Sequence, residues 1–248
     1  MVILLFDGVQ SLTFSSPMDV LAEASTADFR YDIRTVSRNG RPVRSSSRLV
    51  VVPDMSHADV SEADTVIFPG ADGIPSAYPE TASILTARAT RFASVCTGAF
   101  VLAETGVLNG RKAATHWRHA HELSLRHPAV KVDARNTVIR DGSVLTAGGV
   151  ASGIELGLAL IEEDLGRETA QRVARHLVTY VNRPGGQTQF ATLRAKQAQH
   201  PAPREAQGRV LDRPAGELTV AALARHAGLS ERHFTRRFRA QVGMSAKE

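Results

Sequence analysis

Val2 to Phe6 is an unbroken apolar run closed by Asp7 and Gly8, and further short apolar runs recur as far as residue 146. A run of that length is the form taken by a strand buried on both faces of a parallel sheet. Tyr31 to Val36 alternates, Leu49 to Val52 and Thr65 to Phe68 are apolar and rich in β-branched residues, and Phe92 to Cys96 ends at Thr97-Gly98. Helix-compatible stretches lie between several of them: Pro17 to Ala24, Glu80 to Arg91 and Gly98 to Glu104. Strands alternating with helices predict an α/β domain with a largely parallel sheet. Thr137 to Ile139 and Ser143 to Thr146, joined across Arg140-Asp141-Gly142, read as a hairpin, and Gly153 to Leu165 and Glu168 to Val181 as amphipathic helices packed on the sheet.

From Asn182 the character changes to Pro184-Gly185-Gly186, a Gln-rich polar stretch, and then Pro201 and Pro203. The organisation expected is a domain over residues 1–183, a linker over 184–202 and a helical segment over 203–248. Charge divides at nearly the same place. Residues 1–190 hold 19 Lys and Arg against 20 Asp and Glu, whereas residues 191–248 hold 11 against 5, so the net +5 of the chain is C-terminal in origin. A basic end is either a solvated surface or a module for a polyanion.

Other classes are excluded by what is missing. No apolar run approaches the roughly 18 to 20 residues of a membrane helix. Met1 to Phe6 lacks a basic flank and meets Asp7 too early for a signal peptide, so the cytoplasm is expected. A single cysteine, Cys96, rules out a disulfide framework or a Cys-rich zinc module.

Leu218 to Ala227 carries a helical set of apolar residues, Gly228 supplies a bend, and Ser230 is a good N-cap for a second helix with Phe234, Phe238 and Val242 on one stripe. Ala224, four residues before Gly228, is small enough for a close helix crossing. Arg232, Arg236 and Arg239 fall within about 60° of one another on the other side of that helix. This is either a generic helical hairpin with a solvated face or a helix-turn-helix whose arginines meet phosphates and guanine edges. The run from Leu218 to Gly243 resembles the first helix-turn-helix of the AraC family of bacterial transcription regulators. The resemblance implies double-stranded DNA as partner, with Ser230, Arg232, His233, Arg236 and Arg239 at the contact. It also implies two helix-turn-helices joined by a long helix. The sequence reaches Glu248 where that helix should begin, so the expectation is a partial reading unit with weakened affinity.

Ser94-Val95-Cys96-Thr97-Gly98-Ala99 places the thiol between a strand and a helix among small residues, an elbow. A cysteine there is either a buried structural residue or a reactive thiol with a lowered pKa. Leu4 to Gly8, Pro17 to Val20, Phe68-Pro69-Gly70, the Cys96 elbow and Thr115-His116-Trp117 together resemble the PfpI superfamily, over nearly all of residues 1–185. That likeness implies a flavodoxin-like doubly wound sheet of the class I glutamine amidotransferase type. Combined with the AraC-type segment, it is similar to the GlxA-type regulators, with isonitrile hydratases the nearest enzymatic look-alikes.

Superfamily enzymes pair the elbow cysteine with an acid four residues before a helix-starting proline, and counting back from Pro17 gives Thr13. Thr97 stands where the proteolytic branch has histidine. His116 matches a histidine of some members, yet an orienting histidine without an acid serves proton transfer poorly. The expectation is therefore a regulator with a ligand-sensing or dimerising α/β domain, with Cys96, His116 and Thr13 as vestiges of a catalytic set. The alternative is a Cys-dependent enzyme of the isonitrile hydratase or deglycase kind. Cys96, Thr97, Gly70, Asp72 and His116 are expected to line a pocket for a small-molecule effector, although Asp72-Gly73 is equally an ordinary turn. Gly148-Gly149 with Ala151 to Gly153 either offers backbone N–H groups to an anion or packs closely beside the elbow. His116, His119 and His121 are not spaced to share a helix face, so no metal is expected, nor any cofactor. A homodimer is expected.

Overall fold

A computed structural model describes residues 1–26, 29–75, 78–181, 186–187 and 219–242, and the chain divides into two compact units, Met1–Thr188 and Gln189–Glu248. The first unit carries β1 (Val2–Leu4), β2 (Arg34–Ser37), β3 (Val43–Arg44), β4 (Val50–Val51), β5 (Met55–Ser56), β6 (Ala63–Phe68), β7 (Ala89–Val95), β8 (Lys112–Ala113), β9 (Lys131–Val132), β10 (Val138–Asp141) and β11 (Val144–Ala147). Its helices are α1 (Ser11–Glu23), α2 (Pro79–Ala87), α3 (Gly98–Glu104), α4 (Ala120–Arg126) and α5 (Ser152–His176).

The main sheet runs β10-β11-β7-β6-β1-β2-β5, and every neighbouring pair is parallel except the β10–β11 hairpin. From β1 the chain steps outward to β2, then returns across β1 to β6 and on to β7. Because such crossovers are right-handed, the reversal puts α1 on one face and α2 and α3 on the other. This is the doubly wound, flavodoxin-like order, with a topological switch between β1 and β6. Ile3, Leu4, Val66, Ile67, Phe68, Ala93 and Val95 are buried along the central strands, which explains why the sequence reads as continuous apolar runs rather than as alternation.

Helix α1 crosses α5 closely. A Cβ on Gly153 would meet Ser16 Oγ at 2.2 Å, and one on Gly157 would meet Val20 Cγ1 at 2.8 Å. The two glycines, four residues apart, therefore form the face on which α1 rests. Of the two alternatives left open for the Gly148 to Gly153 stretch, this geometry is the packed one at Gly153.

The structure corrects several expected boundaries. Pro17 does not start its helix: α1 begins at Ser11 and holds Pro17 inside it. The proline removes the N–H that would reach the Thr13 carbonyl, and its burial against the α5 glycines offsets that loss. The 80–91 stretch is a helix only to Ala87, and β7 starts at Ala89. Leu49 to Val52 is no sheet-core strand. It contributes to the small β3–β4 hairpin, with Val50 58% and Val52 72% exposed. The two expected C-terminal helices of the domain are present, divided at the non-helical Gly166 (φ +83°) within the span numbered α5, but the second ends at His176, earlier than Val181.

The second unit shows α6 (Val220–His226) and α7 (Glu231–Val242). Thr219 caps α6 by accepting from Ala222 N at 3.1 Å. Gly228, at φ +63°, ends it: its N–H donates to Arg225 O at 3.1 Å, and that of Leu229 to Ala224 O at 2.9 Å. This pair of hydrogen bonds is the Schellman arrangement, which satisfies the last carbonyls and redirects the chain.

Candidate functional site

Three consecutive C-terminal strand ends, at the switch of the sheet, supply the elbow. Cys96 follows β7, Gly70 follows β6, and Thr13 stands on α1 after β1. Cys96 has φ +58°, a left-handed conformation that strains a residue bearing a Cβ by about 1–2 kcal/mol. Two backbone bonds hold it: its N–H donates to Ala147 O at 2.8 Å, and its carbonyl accepts from Thr115 Oγ1 at 2.9 Å. Gly98 lets the strand-to-helix turn close, since a Cβ there would meet Phe68 O at 2.0 Å. Gly70 is needed for a similar reason, because a Cβ would stand 2.9 Å from both Cys96 Cβ and Thr97 N.

The hydroxyls of Thr13 and Thr97 beside this thiol are occupied by the chain itself. Thr13 is fully buried. Its hydroxyl donates its one proton to Gln10 O at 2.6 Å, with Gly70 O the alternative acceptor at 3.1 Å, and it accepts from Gly70 N at 3.1 Å. Thr97 Oγ1 accepts from Ala71 N at 3.0 Å. Cys96 is itself buried, and burial pushes its thiol up to about 11 against hydrogen bonds from Thr97 that pull it down. The lowered thiol pKa expected from an elbow is therefore corrected. Loss of water around the sulfur outweighs the donors, and α3 spans only Gly98–Glu104, too short for a large dipole contribution.

Thr13, Gly70, Cys96 and Thr97 come together as expected of neighbours in one site. Asp72 lies on an exposed loop beyond them. His116 is half-buried, accepts from Arg118 N at Nδ1 (3.3 Å) and stacks on Trp117 with centroids 5.6 Å apart. Its pKa is lowered, first by burial and then by His119 and Arg118. Among the described residues no hydrogen bond joins the Cys96 thiol to an imidazole or a carboxylate, and no group of His, Cys, Asp and Glu is arranged to hold a metal ion. A cleft of about 280 Å³ opens elsewhere, at the ends of β1 and β2 between Asp7, Arg38, Arg41 and Tyr78.

Sequence reasoning missed Gln187. It lies in the stretch expected to be linker, yet it is 2% exposed and its amide nitrogen donates to Thr115 O at 3.1 Å. One glutamine in a Gln-rich stretch carries no local signal. The preceding glycine is the only hint, for a Cβ on Gly186 would meet Arg135 O at 2.0 Å.

In the second unit Leu223, Ala224 and Phe234 are buried and fix α6 against α7. Ser230 caps α7, its Oγ accepting from His233 N at 3.3 Å and its carbonyl from Phe234 N at 2.8 Å. Arg232 and Arg236 are exposed and His233 is half-buried. The side chain of Arg239 lies outside the described residues, as do those of Phe238 and Val242.

With both geometries described, comparison with known proteins assigns the chain. Residues 1–163 match the DJ-1/PfpI family, and residues 210–248 match the bacterial regulatory helix-turn-helix proteins of the AraC family. The chain belongs to the DJ-1/PfpI family. It joins that domain to an AraC-type helix-turn-helix, the layout of the GlxA-type regulators. It is 31% identical over 244 residues to the HTH-type transcriptional regulator GlxA of Rhizobium meliloti, covering 94% of this chain and 74% of that one. It is 36% identical over 179 residues to an isonitrile hydratase of Pseudomonas putida, covering 70% of this chain and 75% of the other. Among solved structures, an AraC family transcriptional regulator from Pseudomonas putida superposes with a TM-score of 0.64 at 26% identity, over 71% of this chain and 97% of that one. No helix among the described residues of this DJ-1/PfpI member is long and apolar enough to cross a membrane.

Proposed function

We propose that the protein is a cytoplasmic, DNA-binding transcription regulator. Its DJ-1/PfpI domain, residues 1–183, senses a small-molecule effector and forms a homodimer, and a linker joins it to the AraC-type segment from residue 203. The observation that carries the reading is the second unit's architecture. A glycine-turned helix pair buries Phe234 on one side of α7 and leaves Arg232 and Arg236 exposed. Ser230 caps the N-terminal end of α7, the end that a recognition helix presents to the major groove. Ser230, Arg232, His233, Arg236 and Arg239 are assigned to the DNA contact, and Cys96, Thr97, Gly70, Asp72 and His116 to the effector pocket. Thr13 in place of an acid, and a thiol held protonated, support a non-catalytic role for that pocket.

Filter binding to a duplex spanning the DNA upstream of the protein's own gene tests this. Arg236→Ala should weaken binding about tenfold and flatten the slope of log affinity against log salt by about 0.9, the value of one lost phosphate contact. An unchanged slope would remove Arg236 from the interface, and wild-type protein that fails to bind at low salt would overturn the regulator reading.

A second reading rests on the strained φ of Cys96, since outliers of that kind concentrate at working sites. It makes the protein an isonitrile hydratase-like or deglycase-like enzyme. Turnover of an isonitrile or of glyoxal that vanishes in Cys96→Ser would establish it.

A further inference from the structure

The buried amide of Gln187 is a polar group near the elbow that the function above does not use. Its Oε1 accepts from Trp117 N at 2.9 Å, and its Nε2 donates to Thr115 O at 3.1 Å and to Asn136 O at 2.9 Å. Its backbone N–H donates to Arg135 O at 2.7 Å. Room for the amide exists because residue 148 is glycine: a Cβ there would stand 2.0 Å from Nε2. One donor and two carbonyl acceptors, closely walled, complement a primary carboxamide, which offers one acceptor and two hydrogens. A carboxylate in the same place would face two carbonyls with no proton to offer them.

The walls of this socket are also the supports of the elbow. Thr115, whose carbonyl holds Nε2, donates through its hydroxyl to Cys96 O. Gly148, which makes the room, follows Ala147, whose carbonyl takes the Cys96 N–H. Gln187 stands one residue before the end of the first unit, Thr188, and the second unit begins at Gln189.

We propose that Gln187 is a ligand held in cis: its carboxamide fills a primary-amide site built on the supports of the Cys96 elbow, and its release transmits the state of the effector pocket to the segment that reads DNA. The transmission step rests on the regulator reading, whereas the amide site does not. A free primary amide of small size is the chemical class that competes for the socket.

The test is amide hydrogen exchange on the full chain, with acetamide as the probe, the size of the group that a glutamine-to-alanine change removes. In Gln187→Ala the Trp117 N–H loses its acceptor, and its exchange should quicken about tenfold. Acetamide should restore the protection, because it supplies the missing acceptor and both donors. In Gln187→Met the cavity is filled by an apolar chain of similar length, so the Trp117 N–H should exchange fast and acetamide should have no effect. Slow exchange of the Cys96 N–H, bonded to Ala147 O, reports in every variant that the sheet is intact. A Trp117 N–H as protected in Gln187→Ala as in wild type, or one that acetamide leaves unprotected, overturns the amide site. For transmission, filter binding of Gln187→Ala to the upstream duplex should differ severalfold from wild type and return with acetamide. Equal affinities would overturn the transmission step and leave the site standing. Wild-type protein that does not bind the duplex would fail the regulator reading, with the exchange result still deciding the socket.

Discussion

Two left-handed residues turn the chain at its two candidate sites, and they do so at different cost. At the helix-to-helix turn the residue is Gly228, φ +63°, with nothing within 4 Å of the place a Cβ would occupy. At the strand-to-helix turn it is Cys96, φ +58°, which carries its Cβ into a crowded interior. A glycine adopts this conformation freely. At Gly228 only the direction of the turn matters. At Cys96 the strain is accepted, so the identity of the side chain carries the value of the position. The surroundings divide in the same way. The hydroxyls of Thr13 and Thr97 at the elbow are paired internally, whereas Arg232 and Arg236 of α7 are left to solvent. One site is closed around its chemistry; the other displays it.

The sharpest way to break that comparison is at Gly98. A Cβ there would stand 2.0 Å from Phe68 O and 2.8 Å from Pro69 O, both backbone atoms that β6 cannot easily withdraw. Gly98→Ala should lower the stability of the first unit by about 3 kcal/mol in urea denaturation, the upper part of the range for overpacking. A change below about 0.5 kcal/mol, typical of a surface site, would mean that the elbow is far softer than its contacts state.

Next in size is the pH response of the thiol. Its folded pKa is raised, from 9.0 to about 11, so the folded state keeps its proton where the unfolded chain has lost it. Stability from this source is fully present below pH 9 and is lost as pH rises toward 11. The whole effect is about 2–3 kcal/mol. Urea midpoints taken from pH 8 to 11 should fall more steeply for wild type than for Cys96→Ala, in which tyrosines and lysines still titrate but the thiol does not. Parallel curves would show that the sulfur is hydrated. The same burial predicts slow alkylation of Cys96 at pH 8, since the thiolate is the nucleophile.

Much of this was legible in the chain before folding. The apolar runs at Val2 and Thr65 sit in the sheet because double burial leaves a mark in composition itself. The elbow was legible from the small residues around Cys96. Thr13 was located by counting back from Pro17, although the premise that Pro17 opens its helix fails, since α1 begins at Ser11. A proline inside a helix is tolerated only through long-range packing, here on the glycines of α5, and packing of that kind leaves no local pattern. Gln187 was hidden for the same reason. Its meaning lies in contacts at Thr115 and Asn136, 72 and 51 residues away. The thiol pKa was misjudged in sign because a strand–turn–helix pattern reveals the donors near a sulfur but not the water removed from it.

The smallest predicted effect isolates backbone conformation from everything else. Gly228→Ala adds a methyl group to open space, so its cost is that of the left-handed backbone, about 1 kcal/mol. It should be read locally, as faster exchange of the Leu229 N–H, whose bond to Ala224 O closes α6, with no change at the Cys96 N–H in the first unit. Gly228→Asn should cost less, because asparagine tolerates this region of backbone space. The contrast with Gly98→Ala then separates two uses of glycine within one chain. At Gly98 alanine has no room, and at Gly228 it has room but the wrong torsion. Equal exchange in Gly228→Ala and wild type would mean that the turn is held by the burial of Leu223 and Phe234 rather than by its glycine, and the helix pair would then tolerate any residue at its corner.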